Sequence, residues 1–410
     1  MKSRFIICIF LFCSFLAISQ TSDSVYMGSG YVNQSFYSLS NGEISNVDNT
    51  NWDLAFSLSQ MGSSIRVNDG KGVELYKYHI GDTSHWSMIN AGVVDYLTSP
   101  LNNSDTSWSY GALNLYQTSA FDLGWGIYNM VNHHVVGDSL YIIKTINGNW
   151  KKLWIERLAG GVYTFHHANL DGSSAITQNI DKSNYSNKSF VYYNIDNNSI
   201  EDREPAMNQW DITFTKYVTP VQGMAYGVTG VLQNYGVKVA QADQIVSPLT
   251  YSDYNSHTFN TDINTVGYDW KSYNMSAGGY VLSDDVCYFI EDKNGDIFRI
   301  VFTGFAGTST GKIVFNIENL SLTPTYLHDI YKNQFEIYPN PTSESSFLVF
   351  ESSQYAYLEI HDLTGKKMYT DAFLSGFQSH KIDLKDFDKG VYVVNLIIDG
   401  QASQQKLIVQ

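Results

Sequence analysis

The sequence predicts an all-β protein, and three observations carry that prediction: an aromatic-rich and proline-poor composition, an internal repeat, and hairpin signals at matching places in both copies. Tyr 30, Phe 22 and Trp 8 make 15% aromatics, with only 7 Pro and abundant Gly, Asn and Ser. That mix favours strands and turns over helices. Trp52-Asp53-Leu54-Ala55-Phe56 returns as Trp210-Asp211-Ile212-Thr213-Phe214, each after a Tyr-rich, turn-bearing run. Trp125-Gly126-Ile127-Tyr128-Asn129 returns as Trp270-Lys271-Ser272-Tyr273-Asn274. Tyr141-Ile142-Ile143 through Asn147-Gly148 to Leu158-Ala159-Gly160 returns as Tyr288-Phe289-Ile290 through Asn294-Gly295 to Phe305-Ala306-Gly307. Finally Tyr163-Thr164-Phe165-His166-His167-Ala168-Asn169-Leu170 returns as Ile313-Val314-Phe315-Asn316-Ile317-Glu318-Asn319-Leu320. Four collinear blocks define two copies of one module of roughly 150 residues, and Asn-Gly between apolar-rich runs is a strong hairpin signal.

The organisation follows in chain order. Residues 1–19 read as a signal peptide: Lys2 and Arg4 precede an apolar run from Phe5 to Ile18, and Ala17-Ile18-Ser19 places cleavage before Gln20. The first module is placed at 20–178 and the second at 179–323, followed by a linker at 324–334. In residues 335–410, the stretches Phe347–Glu351, Tyr357–Asp362, His380–Leu384, Gly390–Ile398 and Gln404–Val409 are short runs of partial apolar and polar alternation. Thr-Gly, Ser-Gly, Lys-Gly and Asp-Gly breakers separate them, the pattern of a small immunoglobulin-like β-sandwich.

Charge and cysteine content exclude several classes. The net charge is −15, and −17 once Lys2 and Arg4 leave with the signal. An acidic chain with no basic run repels phosphate backbones and anionic lipid, so nucleic acid is not expected as a partner. The signal's apolar run is too short to cross a hydrocarbon core of about 30 Å, and no later run is longer, so no transmembrane segment is expected. Cys8 and Cys13 fall within the signal, and the bulky Phe10-Leu11-Phe12 does not resemble a lipoprotein cleavage site. Cys287, inside Val286-Cys287-Tyr288-Phe289-Ile290, has no cysteine to pair with and no neighbouring base, and reads as a buried strand residue.

The C-terminal residues carry a resemblance of their own. Ile337-Tyr338-Pro339-Asn340-Pro341, then Leu358-Glu359-Ile360-His361-Asp362-Leu363-Thr364-Gly365-Lys366, then Lys389-Gly390-Val391-Tyr392-Val393-Val394, then Gln405-Lys406-Leu407-Ile408-Val409 occur in order. In that order and spacing they resemble the type A C-terminal sorting domain of the type IX secretion system. The resemblance implies the type IX machinery as a partner and delivery across the outer membrane to the cell surface or beyond.

The first copy carries another. Its Trp-Asp-Leu-Ala-Phe strand, Trp125-x-x-Tyr128-Asn129, His134-Val135-Val136, the Tyr141–Thr145 strand, the Asn-Gly turn, Lys152-Leu153 and Tyr163-Thr164-Phe165 look like the HmuY family of secreted haem-binding proteins. The implied fold is a tandem of two HmuY-like β-rich modules, and the implied ligand is haem or another tetrapyrrole held between two histidines. Copy one supplies the doublets His133-His134 and His166-His167. On a strand only one member of each can face a given iron. His167 takes the place of Ile317 and shares a face with Tyr163 and Phe165, so it reads as core-directed, while His166 lies on the opposite face. His134 better matches the family pattern, so His134 and His166 are the expected axial ligands, with His133 and His167 as alternatives. Lys144, Lys151 and Lys152 are candidates to meet propionates or simply the solvated face of a hairpin. Copy two has Gly278 and Gly279 near the first doublet's place, Asn316 and Ile317 at the second, and a lone His257, and is not expected to bind haem this way.

Other chemistry is weakly supported. Asp292-Lys293-Asn294-Gly295-Asp296 alternates oxygen side chains like a calcium loop but lacks the closing Glu, and its counterpart Thr145–Asn149 keeps the turn without a carboxylate. A hairpin turn explains both, and no metal is expected. No nucleophile elbow, zinc-protease helix, phosphate loop or dinucleotide fingerprint occurs, and the Asp of each Trp-Asp pair reads as a structural hydrogen-bonding group. The chain is therefore expected to be a binding protein and not an enzyme. Its reading is open between haem in the first module and a surface interaction or structural role without a cofactor, in which the scaffold presents loops to a polymer or protein partner.

Overall fold

The computed structural model describes residues 21–60, 62–276, 278–321, 335–352, 355–398 and 401–410; the signal peptide at 1–19 and the linker at 324–334 lie outside the described residues. The chain divides into two compact units at Asn319 and Leu320, and its main elements are strands. It is all-β.

The first unit opens with β1 (Thr21–Tyr26), β2 (Asn33–Ser38) and β3 (Gly42–Asp48). There follow β4 (Leu54–Ser57), β5 (Ile65–Val67), β6 (Glu74–Lys77), β7 (Gly126–Asn129), β8 (His134–Gly137) and β9 (Leu140–Lys144). Next come β10 (Trp150–Ala159), β11 (Val162–Asn169), β12 (Ile176–Asp181), β13 (Phe190–Asn194) and β14 (Ser199–Glu201). The unit closes with β15 (Ile212–Val221), β16 (Met224–Gln233), β17 (Lys238–Ala242), β18 (Lys271–Asn274), β19 (Gly279–Leu282), β20 (Cys287–Glu291), β21 (Ile297–Phe305) and β22 (Lys312–Asn319).

The repeat is visible in how these strands pair. β4 lies between β13 and β5, and β15 lies between β2 and β16. β11 lies between β10 and β12, and β22 lies between β21 and β1. The chain's first three strands thus occupy, around β15 and β22, the places that β12 to β14 occupy around β4 and β11. The two main hydrophobic clusters of this unit accordingly draw strands from both sides of residue 178. One runs from Leu54 to Ile195; the other combines Val25 to Leu39 with Ile212 to Ile317. Antiparallel addition of β1 to β22, with Val25 opposite Ile313, covers an edge that would otherwise present unpaired backbone groups.

Matching residues make matching contacts in the two copies. Phe56 stacks on Phe165 at 4.9 Å, and Phe214 on Phe315 at 5.5 Å. Trp52 meets Tyr192 edge-on at 4.9 Å, and Trp210 meets Phe36 edge-on at 5.0 Å, an arrangement the ring quadrupoles favour. Gly148 (φ +85°) and Gly295 (φ +90°) turn the two Asn-Gly hairpins, a conformation that costs a residue without a Cβ little.

In the C-terminal unit, β23 (Phe335–Tyr338), β24 (Ser345–Ser352), β25 (Ala356–Asp362), β26 (Lys367–Phe373), β27 (Gly376–Asp383), β28 (Gly390–Ile398) and β29 (Gln401–Val409) form two sheets. Their orders are β23-β24-β27 and β26-β25-β28-β29. Leu348, Leu358, Ile360, Ile382, Val394 and Leu407 are among the buried residues of their common core. The Tyr392 hydroxyl donates 2.7 Å back to the Asp388 carbonyl, the tyrosine corner of immunoglobulin-like sandwiches.

Candidate functional site

The histidine doublets come first. β11 sends the second doublet to opposite faces of its sheet. His167 points into the core, 2% exposed, with Nε2 2.9 Å from the Tyr193 hydroxyl, and burial pushes its pKa down to about 4. His166 lies on the other face, stacked on Trp154 at 4.9 Å. Its Nε2 is 2.6 Å from a Glu156 carboxylate oxygen and its Nδ1 is 2.8 Å from the Thr177 hydroxyl, so both ring nitrogens are engaged. His133 sits in the β7–β8 turn at φ +57° with Nδ1 2.6 Å from the Tyr128 hydroxyl. His134 opens β8 opposite Asn129.

The structure does not bring His134 and His166 together. β8 and β11 flank β10 on opposite sides, with Val135 opposite Leu158 and His166 opposite Trp154. Two strand spacings and several residues along β10 therefore separate the pair, roughly 15–20 Å between backbones. Two axial ligands of one iron need ring nitrogens about 4 Å apart. His167 lies on the core side of the sheet, and His133 is turned to Tyr128, so neither alternative closes the gap.

The three lysines all have partners. Lys144 Nζ is 3.0 Å from Glu74; Lys151 Nζ is 2.6 Å from the Asn169 side-chain oxygen. Lys152 departs from a solvated hairpin face: it is 2% exposed, donates 2.9 Å to the Trp86 carbonyl and sits 4.9 Å over that ring. Tyr78, Ile89 and Trp86 pack over Leu140 and Ile142 there, so this part of the outer face of β9 is covered.

The Trp-Asp carboxylates hold backbone. Asp53 accepts from Ile146 N at 2.7 Å and Ile195 N at 2.8 Å, tying β4 to the hairpin after β9 and to the end of β13. Asp211 accepts from Leu39 N at 2.9 Å, just beyond β2. Burial raises the Asp53 pKa to about 6. Asn68 and Asn234 complete the correspondence, donating to the Trp52 and Trp210 carbonyls at 3.1 and 2.8 Å. Asp292 is spent on its own turn, accepting from Asn294 N and Asp296 N. Among the described residues, no group of three or more His, Cys, Asp or Glu is placed to hold a metal ion. Cys287 is buried and unpaired, and burial lifts its thiol to about 11, away from thiolate chemistry.

A cleft of about 660 Å³ opens where the β4–β5 ladder stops. That volume is in the range of small-molecule sites, about 300–1,000 Å³. Ser57, Ser59, Ser63, Ser64, Ser109 and Ser189 line it, with Tyr110 and Tyr235. In the second copy the matching ladder continues, since β15 and β16 each run ten residues where β4 has four and β5 three. The short hairpin leaves the space. Asn114, 4% exposed, fixes the walls: its Oδ1 accepts from Ile65 N and Gly111 N at 3.0 and 3.1 Å, and its Nδ2 donates to the Ser63 and Leu123 carbonyls at 3.3 and 3.0 Å. At Gly111 an added Cβ would lie 2.0 Å from the Ile65 carbonyl oxygen, so only glycine lets this loop approach β5 so closely. Sequence reasoning missed this site. The signal available was the serine-rich 57–64 segment at a point where the copies diverge.

In the C-terminal unit the quoted motifs are stitching points. Asn340 Nδ2 donates 2.6 Å to the Lys406 carbonyl and Asn340 Oδ1 accepts from Ile408 N at 2.9 Å, clamping the Tyr-Pro-Asn-Pro segment to the last strand. Asp362 Oδ1 accepts from Thr364 N and Lys366 N at 2.8 and 3.0 Å, shaping the turn at Gly365.

Residues 336–410 match the family described as the secretion system C-terminal sorting domain. No curated protein matches the chain, and the HmuY resemblance of the preceding residues has no support in these comparisons. The tail is the segment read by the type IX secretion machinery, and it directs this protein across the outer membrane to the cell surface or the extracellular medium.

Proposed function

We propose that this is a secreted binding protein without enzymatic activity, whose first unit presents a serine-bearing cleft and its surrounding loops to a polymer outside the cell. The observation that carries the reading is the cleft beside β5. Its walls are fixed by Asn114, so the site is preorganised and little ordering cost opposes binding. The spacing of His134 and His166, and the engagement of both His166 nitrogens, favour this reading over bis-histidine haem ligation.

The test compares the mature protein with Ala120→Trp, which places a large ring at an exposed position lining the cleft. Both are screened against immobilised polysaccharides and extracellular structural proteins, and both are titrated with haemin. Expected are retention of one polymer class by the wild type alone and no Soret shift in either. A low-spin haem spectrum lost in His134→Ala and His166→Ala would overturn the proposal.

A further inference from the structure

We infer that the cleft beside β5 takes a neutral, hydroxyl-rich oligosaccharide, an assignment that rests on the polymer-binding reading above and narrows it to one chemical class.

Charge on the cleft wall is already neutralised from within. Asp122 accepts from Thr118 N, the Thr118 hydroxyl and Gly124 N, each at 2.8 Å. Lys188 is paired with Asp202. Neither a free carboxylate for an amine nor a free ammonium for an anion lines the site through these two groups, and the net charge of −15 further opposes an anionic polymer.

Strand addition by a peptide is blocked along the adjacent edge. β5 closes its sheet, but Ile65 N is taken by Asn114 Oδ1 at 3.0 Å. Val67 N is taken by Asn103 Oδ1 at 3.0 Å, and the Val67 carbonyl accepts from Asn103 Nδ2 at 2.7 Å. Three of the backbone groups that an incoming strand would need are occupied by side-chain amides, and Gly111 packs closely against the Ile65 carbonyl.

What the cleft offers is hydroxyls and an aromatic rim. Serine hydroxyls both donate and accept, which suits a ligand whose own groups are hydroxyls. Ser64 sits buried at the wall, its hydroxyl without a hydrogen-bond partner among the described residues. Tyr110 is 51% exposed, yet its backbone is anchored because its carbonyl accepts from Ser104 N at 3.0 Å and from the Arg66 guanidinium. Its half-exposed ring lines the cleft from an anchored backbone, with an amphipathic face to offer to the C–H side of a pyranose.

The mature protein is titrated calorimetrically with cellohexaose, maltohexaose and mannohexaose, with hexagalacturonate, and with a Ser/Thr-rich hexapeptide. At least one neutral hexaose is expected to bind. Tyr110→Ala should weaken it tenfold or more, Tyr110→Trp should retain it because a ring remains, and Ala120→Trp should abolish it. A soluble polysaccharide and a glycoprotein bearing the same sugar then separate a free polymer from a protein-borne glycan, and binding to either supports the inference. Binding of hexagalacturonate or the peptide instead, lost in Ala120→Trp, overturns the sugar assignment and leaves the cleft reading standing. A polymer retained equally by wild type and Ala120→Trp overturns both.

Discussion

Replacing Glu204 by Gln isolates the energetic cost of one buried charge in the first unit. Glu204 is 2% exposed; its Oε1 accepts from Ser189 N and its Oε2 from the Tyr192 hydroxyl, each at 3.0 Å. Burial outweighs those hydrogen bonds and the neighbouring Arg203, and raises the carboxyl from an ordinary 4.5 to about 7. A carboxyl whose folded value lies above its unfolded one binds protons more tightly when folded. Its contribution to stability is complete below about pH 4.5 and is lost as pH rises through about 7. At 1.36 kcal/mol per pH unit, that interval is worth about 3 kcal/mol. Glutamine keeps an acceptor for Ser189 N and offers an amide N–H to the Tyr192 oxygen, but it cannot ionise. Denaturant unfolding followed by tryptophan fluorescence at pH 5, 6, 7 and 8 should show the variant gaining on the wild type as pH rises, approaching about 3 kcal/mol at pH 8. Asp53 and Asp69, also raised to about 6, titrate in both proteins and cancel in the difference. A difference independent of pH, or a variant less stable at pH 8, would refute the reasoning.

Other expectations are direct. Asn114→Ala removes four side-chain hydrogen bonds and strands buried backbone groups, and should lower unfolding free energy by about 2–5 kcal/mol in the same assay. Asp53→Ala frees two backbone N–H groups and should cost about 2–4 kcal/mol, whereas Asp211→Ala, which frees Leu39 N, should cost less. Deleting residues 335–410 should leave the folded remainder in the periplasm, read by cell fractionation; its appearance outside the cell at normal levels would contradict the sorting role.

Composition and local pattern were enough for the all-β class and the two Asn-Gly turns, because each depends on groups near in sequence or on apolar alternation; resemblance identified the sorting tail, and recurrence in both copies marked Asp53 as structural, although its partners Ile146 and Ile195 lie far along the chain. Periodicity reports which face of a strand is buried, and so it correctly sent His167 inward and His166 outward. It does not report which distant strand lies alongside. That β1 to β3 complete the cluster around β15 rather than the one around β4 was settled by non-local backbone pairing, as with Val25 against Ile313. The separation of His134 from His166 has the same origin, since each histidine is placed by its register against β10. The cleft was least legible of all. It exists because one hairpin ladder ends at Ser57 while its counterpart runs on to Val221, and because the Asn114 amide bonds to β5 and the loops on either side. Enclosed space is a property of what neighbouring segments leave unfilled, and only the packed chain defines it.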